Sequence, residues 1–150
     1  MKHRTLDEIR SDAQIIPAEE VDPRAVRRER LERLATVLEQ HQGPVRLLSR
    51  IEYLPESERL LLRGDHSPLT IAYLDPVLRQ QGLASDRLGD AIAFFDLSRG
   101  EAHHLLCDCH YAGAVTSQML ASRTRAVAGR MTLRDVWDKV RGAVRAWRSR

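Results

Sequence analysis

The chain has 150 residues, the size of one domain, of which 43% are apolar and 30% charged. No apolar run approaches the roughly 18 residues that span a bilayer, and the charged first residues lack the apolar core of a secretion signal. The two cysteines are separated by one residue, which is a poor basis for a disulfide framework. We therefore expect a cytoplasmic protein with reduced thiols and no transmembrane segment.

The net charge of +3 is unevenly distributed along the chain. Residues 112–150 contain nine basic and two acidic residues, a net charge of +7, so the first 111 residues carry −4. This asymmetry indicates an acidic or polyanionic partner for the C-terminal third. Of the 24 basic residues 22 are arginines, which suit phosphate and carboxylate binding, although an arginine-favouring codon usage produces the same composition.

The first half of the chain contains clear helix starts between ambiguous segments. Residues 1–21 mix charges with few apolar side chains, and we expect them to be weakly ordered. Asp22-Pro23 predicts an N-cap and first helical residue, and the leucine spacing extends this helix to about His41. The apolar spacing from Val45 to Leu54 is helical, with a strand near its end as the alternative.

The middle of the chain repeats the same cap-and-proline signal. Residues 69–74 are the best strand candidate by their β-branched and aromatic content. Ser67-Pro68 equally well begins a short helix there, and we predict the helix because no partner strand is evident. Asp75-Pro76 predicts another short helix, which Gly82 ends.

The second half of the chain predicts a series of capped helices. They are expected from Arg87 to Phe95, from a capping box at Ser98 to about His110, over 114–128, and over 132–148, the last being strongly basic. We therefore predict an all-α fold, a single compact domain over residues 22–150 with roughly six to eight short helices. A small strand near residues 69–74 is the alternative there.

Both cysteines and three of the six histidines lie within residues 103–110. If the helix continues to His110, then His103, Cys107 and His110 are spaced i, i+4, i+7 and share one face. Imidazole and thiolate are zinc ligands, and the fourth ligand would be water or a residue from elsewhere in the chain, for which His66 or Asp65 is the most reasonable donor. A metal site is therefore one interpretation of the cluster, although structural zinc sites usually contain two ligand pairs and only one cluster is present here.

Three other interpretations of this cluster remain open. A nucleophilic cysteine would need thiolate stabilisation, which the C-terminal end of a helix opposes. Cys107 and Cys109 could form a redox pair, but the same dipole lowers their reactivity. The third interpretation is core packing, in which Cys109 is buried beside Leu105 and Leu106, since burial is the commonest fate of a free cysteine.

The C-terminal helix has an apolar stripe with two tryptophans and a basic opposite face. Such a helix docks on its own core, binds a groove on a partner, or supports a homodimer. The candidate partner-binding residues are Arg123, Arg125, Arg134, Trp137, Arg141, Arg145, Trp147 and Arg148. We expect their partner to be a protein or a nucleic acid.

No complete catalytic motif is found in the sequence. We therefore expect a non-enzymatic, cytoplasmic regulatory or adaptor protein without a cofactor, which binds its partner through the basic C-terminal third. One alternative is a zinc-binding or thiol-dependent protein centred on the histidine–cysteine cluster. A second alternative is a helix-turn-helix DNA-binding regulator, formed by the three helices between residues 87 and 128.

Overall fold

The fold is built from short helices, most of which begin where the sequence supplies a cap. A computed structural model describes residues 21–129 and Arg141. Residues 21–129 contain seven α-helices: α1 (Pro23–Gln40), α2 (Glu56–Leu60), α3 (Pro68–Leu74), α4 (Pro76–Gln80), α5 (Leu88–Phe95), α6 (Arg99–Leu106) and α7 (Ser117–Ala128). Two single-turn 3-10 helices, Ile51–Tyr53 and Asp108–His110, complete the order. The all-α prediction is confirmed, and residues 69–74 are helical rather than a strand.

Side-chain caps explain where five of these helices begin. Each cap accepts a hydrogen bond from a backbone N–H that has no partner within its helix. The caps are Asp22 for α1, Ser67 for α3, Asp75 for α4, Ser98 for α6 and Thr116 for α7. At Ser98 the capping box is complete, because Glu101 accepts a hydrogen bond from the Ser98 backbone N–H in return.

The core forms mainly where α1 packs along α7. Leu31 and Leu38 of α1 and Leu120 and Val127 of α7 are almost completely removed from solvent. Burying a leucine side chain stabilises a fold by about 1.5–3 kcal/mol relative to leaving it exposed. The long first helix and the last described helix therefore form the framework on which the shorter helices pack.

One buried charge joins four parts of this framework. Arg27 is only 6% exposed, and its guanidinium forms an ion pair with Glu101 at 2.8 Å. It also donates to the carbonyl oxygens of Asp96 at 3.1 Å and Val127 at 3.5 Å. The buried charge is thus paired and hydrogen-bonded, as a stable fold requires, and it holds the start of α6 against α1.

The predicted helix from Val45 to Leu54 is wrong. Leu48 instead lies extended beside the end of α6: its N–H donates to Leu106 O at 2.8 Å, and its carbonyl accepts from Asp108 N–H at 3.1 Å. Arg50 then adopts a left-handed conformation with φ of 56°, which a continuing helix does not allow. Pairing with a distant segment has overridden the local helical spacing.

The expected weakly ordered segment, residues 1–21, lies outside the described residues except for Val21, which is exposed. The expected basic helix over 132–148 also lies outside them, except for Arg141, which is helical and exposed. Among the helices that the structure describes, none combines the length and apolar character needed to cross a membrane.

Candidate metal centre

The histidine–cysteine cluster lies where the chain turns after α6. The predicted continuation of this helix to His110 is wrong, because α6 ends at Leu106 and Cys107 is extended, with φ of −97° and ψ of 136°. The Cys107 N–H still donates to His103 O at 3.0 Å, and a 3-10 turn over Asp108–His110 follows. The backbone pairing with Leu48 accounts for this early end.

The early helix end brings the two thiols together. On a continuous helix Cys107 and Cys109 would point about 160–200° apart, but their Sγ atoms are 3.1 Å apart in the structure. Cys107 is fully buried and Cys109 is exposed. The interpretation that places Cys109 in the core is therefore wrong, and Cys107 occupies the buried position.

Two histidines lie over these thiols. His103 Nδ1 and His110 Nε2 are 2.7 Å apart, so one ring donates a hydrogen bond to the other. The other nitrogen of His103, Nε2, is 4.0 Å from Cys109 Sγ. His104 lies beside the pair, with its ring centroid 5.3 Å from that of His110. The structure thus places His103 close to His110 and to Cys107, but among the described residues no set of mutually close ligand atoms contains both Cys107 and His110.

A sixth residue, Glu52, enters the cluster from the 3-10 helix at Ile51–Tyr53. Its Oε2 atom is 3.8 Å from His103 Nε2 and 3.9 Å from Cys107 Sγ. Sequence reasoning missed Glu52 because it lies 55 positions from Cys107, and no local spacing connects the two. The only signal that could have found it is the pairing of its own segment with the end of α6.

The ligand atoms of the cluster fall into two overlapping sets of three residues rather than one set of four. Two sets have all their ligand atoms within 4.8 Å of one another, and both contain His103: one adds Cys109 and His110, the other Glu52 and Cys107. Four contacts of 3.1–4.0 Å link His103 Nε2, Glu52 Oε2 and the two Sγ atoms in a closed ring. Ligand atoms around tetrahedral zinc lie about 3.3–3.8 Å apart, so these four contacts are within about 0.7 Å of that geometry. Since neither set contains all four residues, an ion bound by all four would also have to draw Glu52 and Cys109 closer together.

The electrostatics of the cluster oppose a free thiolate. Burial, the neighbouring Cys109 thiol and the Glu52 carboxylate together raise the pKa of Cys107 to about 12. At neutral pH Cys107 is therefore a neutral thiol, which argues against a role as a nucleophile. A bound cation would reverse this balance, since a thiol that coordinates zinc is deprotonated.

The other metal ligand predicted from the sequence, His66, belongs to neither ligand set. It is exposed and left-handed, with φ of 57°, and its carbonyl oxygen accepts a hydrogen bond from Arg46 N–H at 2.9 Å. Through this hydrogen bond the His66 backbone holds the segment that leads to Leu48 in place. The His66 ring is not brought to the cluster, whereas Glu52 belongs to one of the two ligand sets.

Arg123 of helix α7 holds the turn after α6 in place. The guanidinium donates to His110 O at 2.8 Å and lies over the Tyr111 ring, 3.8 Å from its centroid. The Tyr111 hydroxyl in turn donates to Leu105 O at 3.3 Å. Arg123, a predicted partner-binding residue, thus has intramolecular partners that hold His110 in position.

Arg125, also predicted to bind a partner, ties α7 to α1. It forms a two-pronged ion pair with the Glu39 carboxylate and a further ion pair with Glu32 at 3.3 Å. Its guanidinium is therefore already engaged with carboxylates. Of the remaining predicted partner residues, the structure describes only Arg141; the others, outside the described residues, are Arg134, Trp137, Arg145, Trp147 and Arg148.

Comparisons with known protein families, with curated protein sequences and with solved structures find no match to this chain.

Proposed function

We propose that this chain is a zinc-binding protein whose ion is held at the turn after α6 by Cys107, Cys109, His103 and Glu52. The observation that carries the proposal is the closed ring of contacts among His103 Nε2, Glu52 Oε2 and the two Sγ atoms. Two thiolates with nitrogen and oxygen ligands suit zinc better than magnesium or calcium, which prefer oxygen alone.

In this site His110 orients a ligand rather than binding the ion. A zinc-bound histidine usually donates the N–H of its other ring nitrogen to an acceptor, which fixes the ring. The 2.7 Å contact between His103 Nδ1 and His110 Nε2 supplies that acceptor and leaves the Nε2 lone pair of His103 for the ion. Arg123 fixes the backbone of His110 in turn.

Four protein ligands would fill a tetrahedral zinc ion and leave no open position for a substrate. The proposed ion therefore has a structural or regulatory role rather than a hydrolytic one. It would link the segment around Glu52 to the end of α6, two regions that otherwise meet through the backbone pairing at Leu48. Zinc binding would accordingly stabilise the folded chain, by about 2.7 kcal/mol at a free zinc concentration 100 times the Kd.

The test is zinc binding by the full chain, purified without a metal-affinity tag and measured by calorimetry. We expect one zinc ion per chain, and an affinity at least about 100-fold lower in Cys107→Ser, because the buried thiolate is lost. Glu52→Gln and His66→Ala separate the fourth ligand proposed here, Glu52, from the one predicted from the sequence, His66. Weaker binding in Glu52→Gln alone supports the proposed set.

Two controls make this test specific. Glu58→Gln removes an exposed carboxylate from α2, and Asp108→Asn removes the acid whose Oδ1 lies 3.8 Å from Cys107 Sγ. Both should keep the wild-type affinity. A loss in Asp108→Asn with none in Glu52→Gln would replace Glu52 in the ligand set, and unchanged zinc binding in Cys107→Ser would contradict the proposal itself.

A second candidate function is that the basic C-terminal third binds an acidic protein or a nucleic acid as a cytoplasmic adaptor or regulator. It rests on the net charge of +7 over residues 112–150 and on the exposure of Arg141. Because Arg123 and Arg125 already have intramolecular partners, the later arginines would have to carry the binding. Contacts with phosphates would make the affinity fall as salt rises.

The matched test measures the affinity of two double charge-reversal variants for a labelled DNA duplex. Arg141→Glu with Arg145→Glu should weaken binding about tenfold or more, whereas Arg28→Glu with Arg87→Glu, at exposed positions, should weaken it less. Equal loss in the two pairs would show that only overall charge matters. Equal affinity for unrelated duplex sequences would remove the helix-turn-helix alternative.

A further inference from the structure

The two cysteines differ in a way that zinc binding alone does not require. Cys109 is exposed, whereas Cys107 is fully buried directly beneath it, and the two Sγ atoms are 3.1 Å apart. A disulfide needs these atoms at about 2.05 Å, so closing the bond requires an approach of about 1 Å between neighbouring sulfur atoms. One thiol is thus open to small oxidants, and the other is placed to react with it.

We propose that Cys107 and Cys109 are an oxidative modification site, at which a hydroperoxide converts the dithiol to an intrachain disulfide and so expels the zinc ion. The release step rests on the proposed function, whereas the disulfide step does not. Zinc binds thiolate but not disulfide sulfur, and His103 with Glu52 alone would be a two-ligand site of low affinity.

The chemistry has two balanced steps. First, the Cys109 thiolate sulfur attacks the terminal oxygen of the hydroperoxide; the O–O bond breaks, and the alkoxide leaves and takes up a proton, which yields Cys109 sulfenic acid and an alcohol. Second, the Cys107 thiolate attacks the Cys109 sulfur; the S–O bond breaks, and the hydroxide leaves as water with a proton from solvent or, in the metal-free chain, with the proton that Cys107 has lost. The dithiol loses two electrons, and the peroxide gains them.

The surroundings favour this order of events and a reversible product. Only Cys109 presents its sulfur to solvent, so it should meet the oxidant first. Cys107 lies within contact distance and should close the disulfide before a second peroxide oxidises Cys109 further. A disulfide that spans a single intervening residue and has its Cys109 side exposed should be readily reduced by thiols, as labile regulatory disulfides are.

The experiment treats the zinc-loaded full chain with tert-butyl hydroperoxide. Zinc release is followed with a chromogenic chelator, free thiols are counted after denaturation, and the product is weighed by intact mass spectrometry. We expect one zinc ion released and two thiols lost per chain, with a mass lower by two hydrogens. Dithiothreitol and fresh zinc should restore all three readings.

Single-cysteine variants test the order of the steps on metal-free protein. In Cys109→Ser the remaining buried thiol should be lost about tenfold or more slowly than the exposed thiol of Cys107→Ser. Cys107→Ser should gain oxygen rather than lose hydrogen, since no second thiol closes the bond. Equal rates in the two variants, or disulfide-linked dimers of the wild type, would overturn the inference.

The outcomes separate this inference from the zinc proposal. A chain that never takes up zinc contradicts the proposed function and the release step, while the metal-free mass measurement still decides the disulfide step. Zinc that stays bound after the disulfide has formed contradicts the inference and leaves the zinc site in place without its thiolates. Zinc release with both thiols still free would also overturn it.

Discussion

The interface between α1 and α7 and the turn after α6 are held together by different forces. The interface buries leucine and valine side chains such as Leu31 and Val127, and its contribution to stability comes from removing apolar surface from water. The turn instead gathers thiols, imidazoles and a carboxylate, only one of which, Cys107, is buried. The interface should therefore be stable without a bound metal ion, whereas the turn should become more stable when it binds one.

The largest expected effect tests the interface. Leu31→Ala should lower the free energy of unfolding by about 2–5 kcal/mol, because it removes a fully buried side chain and leaves a cavity. Zinc stoichiometry in the folded fraction should stay at the wild-type value. Denaturant unfolding of the metal-free chain measures the first quantity, and a loss of zinc stoichiometry would show that the two regions are coupled.

A somewhat smaller effect tests the turn through its ligand. Zinc at 100 times its Kd should raise the unfolding free energy of the wild type by about 2.7 kcal/mol. Glu52→Gln should lose most of this gain, because the amide is a weaker zinc ligand than the carboxylate. Thermal unfolding with and without zinc gives the comparison, for which Glu58→Gln is the control. If zinc stabilised Glu52→Gln as much as the wild type, Glu52 would not be a zinc ligand.

His110→Ala sharpens the distinction between a ligand and an orienting residue. If His110 only fixes the His103 ring, the zinc affinity should fall by about 10–100-fold, as it does when such partners are removed. The stoichiometry should remain one zinc ion per chain. Calorimetry reports both values, and a complete loss of zinc binding would make His110 a ligand.

The sequence predicts where helices begin far better than it predicts the turn. The caps at Asp22, Ser67, Asp75 and Ser98 are short local signals, and each begins a helix where it is predicted. The pairing of Leu48 with the end of α6 is a long-range contact, which local periodicity does not report. That pairing ends α6 early, places the two thiols side by side and brings Glu52 next to them. The sequence therefore reveals the cluster of histidines and cysteines but not its geometry.

The smallest expected effect concerns an ion pair between α1 and the start of α4. Burial raises the pKa of Asp75, but hydrogen bonds from Arg33 and from Leu78 N–H, together with the Arg33 charge, outweigh it and lower the pKa. In acid the unfolded chain therefore takes up the proton first. The ionised Asp75 carboxylate therefore stabilises the folded state at pH values above the Asp75 pKa in the unfolded chain, about 3.9. This stabilisation is lost as the pH falls through the lower Asp75 pKa of the folded chain.

Arg33→Met should reduce this acid-dependent stabilisation by about 1 kcal/mol or less, since Arg33 is itself about one-third exposed. Urea unfolding at a series of pH values between about 2 and 6 measures it. Arg28→Met, at an exposed position on the same helix, is the control. A pH dependence identical in wild type and Arg33→Met would show that this ion pair does not set the acid stability.

The ligand set is tested most directly by X-ray absorption at the zinc edge on the zinc-loaded full chain. The proposed site predicts two sulfur ligands at about 2.3 Å and two nitrogen or oxygen ligands at about 2.0–2.2 Å. Glu52→Gln should keep both sulfur ligands and change the lighter ones. A first coordination sphere of nitrogen and oxygen alone would contradict the assignment of Cys107 and Cys109 as ligands.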